Sequence, residues 1–89
     1  MVGFEIVYTK KSITDIEKLK AAKLDKKTQQ LLDLIRLNPY QTPPYFEKLQ
    51  GDLKGAYSRR INIKHRLVYE VFEEMKIIKI VSMWSHYEF

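Results

Sequence analysis

Three strand-like runs, Tyr57–Ile63, His65–Glu73 and Lys76–Trp84, follow one another with scarcely any chain between them. The turn at Glu73-Glu74-Met75 joins the last two so tightly that they must pair antiparallel, because a parallel return needs a crossover of a dozen residues or more. Upstream, "FEIVYT" (Phe4–Thr9) is β-branched and aromatic and reads as an opening strand. Ser12 is placed to cap a helix with Ile13, Ile16, Leu19 and Ala22 among its apolar positions. That pattern breaks near Leu24–Asp25 and resumes with Thr28, Leu31, Leu32 and Ile35, with Asp25 as a second cap. Asn38-Pro39 stops it, since proline disfavours helix at the preceding residue. "PYQTPP" then reads as a rigid connector, and Gly51 and Gly55 mark turns. The predicted order is β-α-α-β-β-β: an α+β fold with a helical hairpin on one face of an antiparallel sheet. No repeat or linker divides residues 1–89, which form a single domain.

Apolar residues make up 45% of the chain and charged ones 30%, which is enough apolar surface for a globular core. The chain has no cysteine, so neither a disulfide framework nor a thiolate metal site is expected. No apolar run approaches a membrane span, which predicts a soluble, cytoplasmic protein without membrane contact. Net charge is +5, and +4 of it falls within residues 45–66. Lys10, Lys11, Lys18, Lys20, Lys23, Lys26 and Lys27 read as solvated helix faces. The block from Arg59 to Arg66 is different, because alternate strand residues ought to be buried. A basic field of this density favours a polyanion, with nucleic acid the default partner.

Alternation sorts those cations. Leu67, Tyr69 and Val71 share one face, and Arg66, Val68, Glu70 and Phe72 the other. Tyr57, Ile61 and Ile63 likewise oppose Ser58, Arg60 and Asn62. Arg60 and Arg66 are therefore expected to point away from the helices, with the cations lining an open sheet face and not the core. The two histidines, His65 and His86, and the lone loop acid Glu47 could each be ordinary solvated residues. Two histidines without a tight acidic cluster make a poor ligand set, so neither metal nor cofactor is expected. Together, one carboxylate, one histidine, arginines and a tyrosine on one face are what metal-free phosphodiester cleavage requires. A base takes the ribose 2′-hydroxyl proton, an acid protonates the leaving 5′-oxygen, and cations hold the charge on phosphorus oxygens. Histidine suits the acid role, titrating ordinarily near pH ~6.5. A plain RNA- or ribosome-binding module fits the composition too, with Trp84 and Tyr57 either stacking on bases or packed in the core.

"FEKLQGDLKGAYSRRINIKHRLVYEV" (residues 46–71), followed by His86-Tyr87, resembles the YoeB/Txe family of bacterial toxins within the RelE-like superfamily. The specific part is G-x-x-S-R-R-I-x-x-x-H-R-L-V-Y, from Gly55 to Tyr69. The helical half agrees in pattern and length rather than in residues. The resemblance implies a small RelE/microbial-RNase-like ribonuclease that enters the ribosomal A site and cuts mRNA there. It implies Glu47 as general base, Arg66 as transition-state stabiliser, His86 as general acid and Tyr87 as the aromatic that positions substrate. Arg60 falls at a phosphate-contacting arginine, with Lys48, Lys54, Arg59 and His65 as further RNA-phosphate contacts. Family members commonly carry a lysine where this chain has Gln50, a charge that Lys48 or Lys54 would have to supply. They also often end at the His-Tyr pair, whereas Glu88 and Phe89 follow here.

The implied partners are the ribosome and mRNA, and a co-expressed YefM/Axe-like antitoxin whose acidic, partly disordered segment suits the basic face. Operator DNA is implied only through the antitoxin complex, and relatives often form homodimers. A ParE-like, non-catalytic inhibitor of DNA gyrase on the same scaffold is the alternative, and it would need none of Glu47, Arg66 and His86.

Overall fold

The computed structural model describes residues 3–43, 45–49 and 55–86, with backbone alone at 85 and 86. Its elements run β1 (Glu5–Tyr8), α1 (Lys10–Ala21), α2 (Asp25–Leu37), β2 (Phe46–Lys48), β3 (Ala56–Arg60), β4 (His65–Phe72) and β5 (Ile77–His86). The five strands form one sheet in the order β1-β5-β4-β3-β2. Strands β2 to β5 pair antiparallel in succession, while β1 lies parallel to β5. The α+β class and the helical hairpin are as predicted; the sheet is mixed rather than wholly antiparallel. Between β1 and the other strands lie two helices, long enough to bring the chain back in either direction.

Leu19 of α1 and Leu31, Leu32 and Ile35 of α2 pack with Ile61, Leu67, Tyr69, Ile78, Ile80 and Met83 to form the core. Leu67 and Tyr69 thus face the helices, as their alternation predicts. Two differences from the sequence reading are local. The N-cap of α1 is Thr9, not Ser12: the Thr9 Oγ1 accepts from Ser12 N–H at 3.1 Å, and the Ser12 hydroxyl donates back to the Thr9 carbonyl at 2.8 Å. Thr9 prevails because its hydroxyl also donates to the carbonyls of Ile80 (3.0 Å) and Val81 (3.1 Å), tying the helix start to β5. Asp25 is the first residue of α2, whose cap position is Leu24.

Strand β3 stops at Arg60 and not at Ile63. The Asn62 Oδ1 accepts from the N–H groups of Lys64 (2.9 Å) and His65 (2.7 Å), closing a tight turn that ends the ladder.

Helix α1 ends in a Schellman turn. Leu24 N–H donates to Leu19 O at 2.8 Å and Lys23 N–H to Lys20 O at 3.1 Å, with Lys23 left-handed at φ 60°. A side chain in that conformation costs about 1 kcal/mol relative to glycine. Lys23→Gly should therefore raise stability by up to about 1 kcal/mol in a urea titration, an unchanged midpoint being the contrary result.

Asp15 anchors α1 to the sheet from inside. Its side chain is fully buried, and it accepts from Met83 N–H (3.0 Å), the Ser82 hydroxyl (3.3 Å) and the Lys11 ammonium (2.8 Å). Burial pushes its carboxyl up, but Lys11 and the Met83 and Ser82 donors outweigh it and hold the group below the ordinary carboxylate range. Its stabilisation is therefore complete above pH ~4, the unfolded-chain value, and is lost as pH falls through the lower folded value. Asp15→Ala should cost about 2–4 kcal/mol at neutral pH. Asp15→Asn should differ from the parent chain at pH 7 and converge on it in acid, as thermal melts across pH will show.

Candidate active site

The C-terminal half places its polar residues by register. Glu47 of β2 stands opposite Ser58 of β3, Ser58 opposite Val68 of β4, and Arg60 opposite Arg66. Directly opposed residues share a face, so Glu47, Ser58, Arg60 and Arg66 all lie on the side opposite to Leu67 and Tyr69. On β5, Ser85 is opposite Arg66 and His86 opposite His65. Two irregularities in this pairing, between Arg66 and Val68 and between Val68 and Tyr69, fall beside the site. Such bulges twist a strand and re-aim its end.

Arg66 reaches across β3. Its Nη1 donates to Glu47 Oε1 at 2.6 Å and to the Ser58 hydroxyl at 3.3 Å. Glu47 lies two strands away, a path that crosses directly over position 58. Ser58 is small enough to leave that path open and polar enough to hold the guanidinium in it. The Arg66 side chain is 11% exposed and the Glu47 side chain 39%, so the pair sits at the mouth of the site and not in the core. Arg60, exposed and directly opposite Arg66, would be a repulsive neighbour without that carboxylate. Among the described residues, two guanidinium groups here face one carboxylate, an arrangement that suits an arriving phosphodiester.

Ser58, Arg60 and Arg66, though not Glu47 itself, line a cleft of about 610 Å³ together with Tyr45 and with Lys27, Gln30, Leu31 and Leu34 of α2. The expectation that Arg60 and Arg66 stand clear of the helices thus needs correction. They lie on the predicted side of the strand, but the flank of α2 forms one wall of their cleft. Alternation sorts side chains within a strand and is silent about which tertiary element borders them.

Arg59 is a second correction. Expected among the phosphate contacts, it is fully buried. Its Nε donates to the Tyr69 hydroxyl at 3.0 Å and its Nη2 to the Pro39 carbonyl at 2.9 Å, with the guanidinium 4.9 Å from the centre of the Phe46 ring. One cation of the basic block does therefore sit in the core, with no surface left for RNA. His65, another expected phosphate contact, is 8% exposed and stacks on Trp84 at 3.8 Å between ring centres. Tyr57 likewise packs among Tyr40, Phe46 and Tyr69, as a core aromatic would. Lys48 ends β2, exposed. Lys54, Tyr87, Gln50, Gly51, Glu88, Phe89 and the side chain of His86 lie outside the described residues.

Sequence reasoning placed Glu47 in a loop, whereas it occupies a three-residue edge strand. A run that short, preceded by prolines, carries no periodicity to read. Ser58, Tyr45, Lys27 and Gln30 were not assigned to the site. For Ser58 the available signal was its place two residues from Arg60, on the same strand face; none existed for the α2 residues. Among the described residues, no three of His, Asp and Glu come together as a metal-ligand set, and no helix is long and apolar enough to cross a membrane.

Comparison with known proteins agrees with this architecture. The chain superposes on a YoeB/ParE toxin from Agrobacterium tumefaciens with a TM-score of 0.84, at 29% identity over 94% of this chain and 100% of the other. It superposes on the toxin in a heterotetrameric YoeB–YefM complex from Staphylococcus aureus with a TM-score of 0.78, at 37% identity over 94% and 98%. It is 38% identical to Toxin YoeB of Streptomyces coelicolor over 65 residues, 73% of this chain and 75% of that one. The family of the YoeB-like toxin of bacterial type II toxin-antitoxin systems matches residues 8–87, which hold both helices and strands β2 to β5. With the helical hairpin, strands β2 to β5 and the S-R-R-I…H-R-L-V-Y motif all within one family match, the chain belongs to the YoeB-like toxins of bacterial type II toxin-antitoxin systems.

Proposed function

We propose that this toxin is a ribosome-dependent endoribonuclease that cuts mRNA in the A site by metal-independent acid–base chemistry and so halts translation. The observation that carries the reading is the 2.6 Å contact of Glu47 with Arg66, an arginine that lines the cleft with Arg60 and Lys27. Glu47 takes the proton of the ribose 2′-hydroxyl. The resulting oxyanion attacks the adjacent phosphorus, and Arg66, with Arg60, holds the charge that gathers on the non-bridging oxygens. His86, on the strand next to Arg66, protonates the leaving 5′-oxygen, and Tyr87 positions the strand of RNA. Lys48 and Lys54 add attraction for the backbone. The ribosome supplies the alignment of the 2′-oxygen, phosphorus and leaving oxygen that a flexible RNA lacks.

The same arginines suit the acidic segment of a YefM/Axe-like antitoxin, which would cover the cleft and silence it. Such a toxin acts in the cytoplasm, where its ribosomes are.

The test is a reconstituted translation reaction with the purified protein, mapping new mRNA 5′ ends by primer extension. Cuts at the A-site codon are expected. Intact mRNA with translation unimpaired would overturn the reading and move the function to a non-catalytic target.

A further inference from the structure

The cleft is larger than the chemistry needs. A scissile phosphate with its arginines occupies one side, yet the cavity of about 610 Å³ extends to a second wall built by α2 and Tyr45. That wall combines apolar surface from Leu31 and Leu34 with one amide, Gln30, one ammonium, Lys27, and an aromatic ring. Tyr45 is 75% exposed, although four other tyrosine and phenylalanine rings nearby (Tyr40, Phe46, Tyr57 and Tyr69) pack against one another. It immediately precedes the Phe46–Arg59 pair, which sets it against Arg60 at the cleft's edge. An open aromatic ring beside cations, sharing a cleft wall with apolar helix surface and an amide, has the chemistry of a nucleobase site: a face for stacking and a group for edge recognition.

We propose that Tyr45 is a stacking platform for a nucleobase flanking the scissile phosphate, with Gln30 reading the base edge and Lys27 contacting the next phosphate. This subsite rests on the ribonuclease reading above and deepens it, since it would give the enzyme its sequence preference. Tyr45 is a positioning residue here and takes no part in proton transfer.

The test separates the two ideas. A short fluorescein-labelled RNA made uncleavable by 2′-O-methylation is titrated with the full chain and followed by anisotropy. Tyr45→Ala should weaken binding roughly 5- to 100-fold, while Tyr45→Phe, which keeps the ring, should bind within about twofold of the parent. Melting curves confirm that each variant is folded, as the exposure of Tyr45 leads one to expect. In translation reactions Gln30→Ala should redistribute cleavage among codons. Equal binding by Tyr45→Ala and the parent, equal loss in both Tyr45 variants, or no binding by the parent would each overturn the subsite. If the parent cuts mRNA while Tyr45→Ala binds as well as the parent, this inference falls and the nuclease stands. If binding depends on the ring but nothing is cut, the nuclease falls, and Tyr45 is a base platform of an RNA-binding surface with no scissile phosphate beside it.

Discussion

Glu47→Gln is expected to slow mRNA cleavage by roughly two to four orders of magnitude, the usual worth of a positioned base. The amide keeps the length and shape of the carboxylate and can still accept from Arg66 Nη1, now 2.6 Å from the acid. What it loses is the capacity to take a proton. Folding should hardly change, because a pair with one partner 39% exposed contributes no more than about 1 kcal/mol. Single-turnover rates on programmed ribosomes separate the possibilities. A fall in the rate with ribosome affinity kept is the signature of a base. Undiminished cleavage would remove Glu47 from the chemistry and leave it as a tether for Arg66. Arg66→Ala should then be the informative companion, as it removes the phosphate's cation and strands the carboxylate together.

Arg59→Ala should be the most destabilising substitution in the basic block, at about 3–5 kcal/mol. It deletes the charge-assisted hydrogen bonds to the Tyr69 hydroxyl and the Pro39 carbonyl, the contact with the Phe46 ring, and the volume of a fully buried side chain. In a domain of this size the melting temperature should drop by well over ~10 °C. Arg59→Met refills most of the volume with an apolar chain and should cost less, since a buried charge carries its own desolvation penalty. Tyr69 keeps its bond to Pro39 O at 2.8 Å in either variant. Burial raises the Tyr69 phenol above its ordinary range despite the neighbouring Arg59 cation, so the hydroxyl remains a donor at any working pH. A phosphate-binding role would give the opposite pattern: an unchanged melting temperature and a loss of RNA affinity that deepens with salt.

Adjacent arginines with opposite fates show how far strand patterning reaches. Their opposite orientations are legible, because neighbouring residues of a strand must face opposite sides. Tyr57, Ile61 and Leu67 then mark the inward side, and position 59 falls on it. The basic block as a whole looked like surface because arginine is so seldom buried. The burial of Arg59 was decided by the chain between α2 and β2, which brings Pro39 O and the Phe46 ring over the guanidinium. No local pattern announces such a contact, made across 20 residues of sequence. The edge strand β2 escaped notice for a related reason: three residues acquire strand geometry only by pairing with β3.

By itself, then, the sequence determined the α+β class, the helical hairpin, the tight turn at Glu73-Glu74-Met75 and the grouping of Arg60 and Arg66 on one sheet face. Those features follow from spacing, from turn chemistry and from a two-residue alternation, all of them local. Only the tertiary structure decided that Glu47 and Arg66 meet over Ser58, that Arg59 is a core residue, and that α2 walls the cleft with Lys27 and Gln30. Each of these depends on which elements lie side by side. That choice is made by burying one shared apolar surface, and a local pattern can present a face to that core without naming its neighbour.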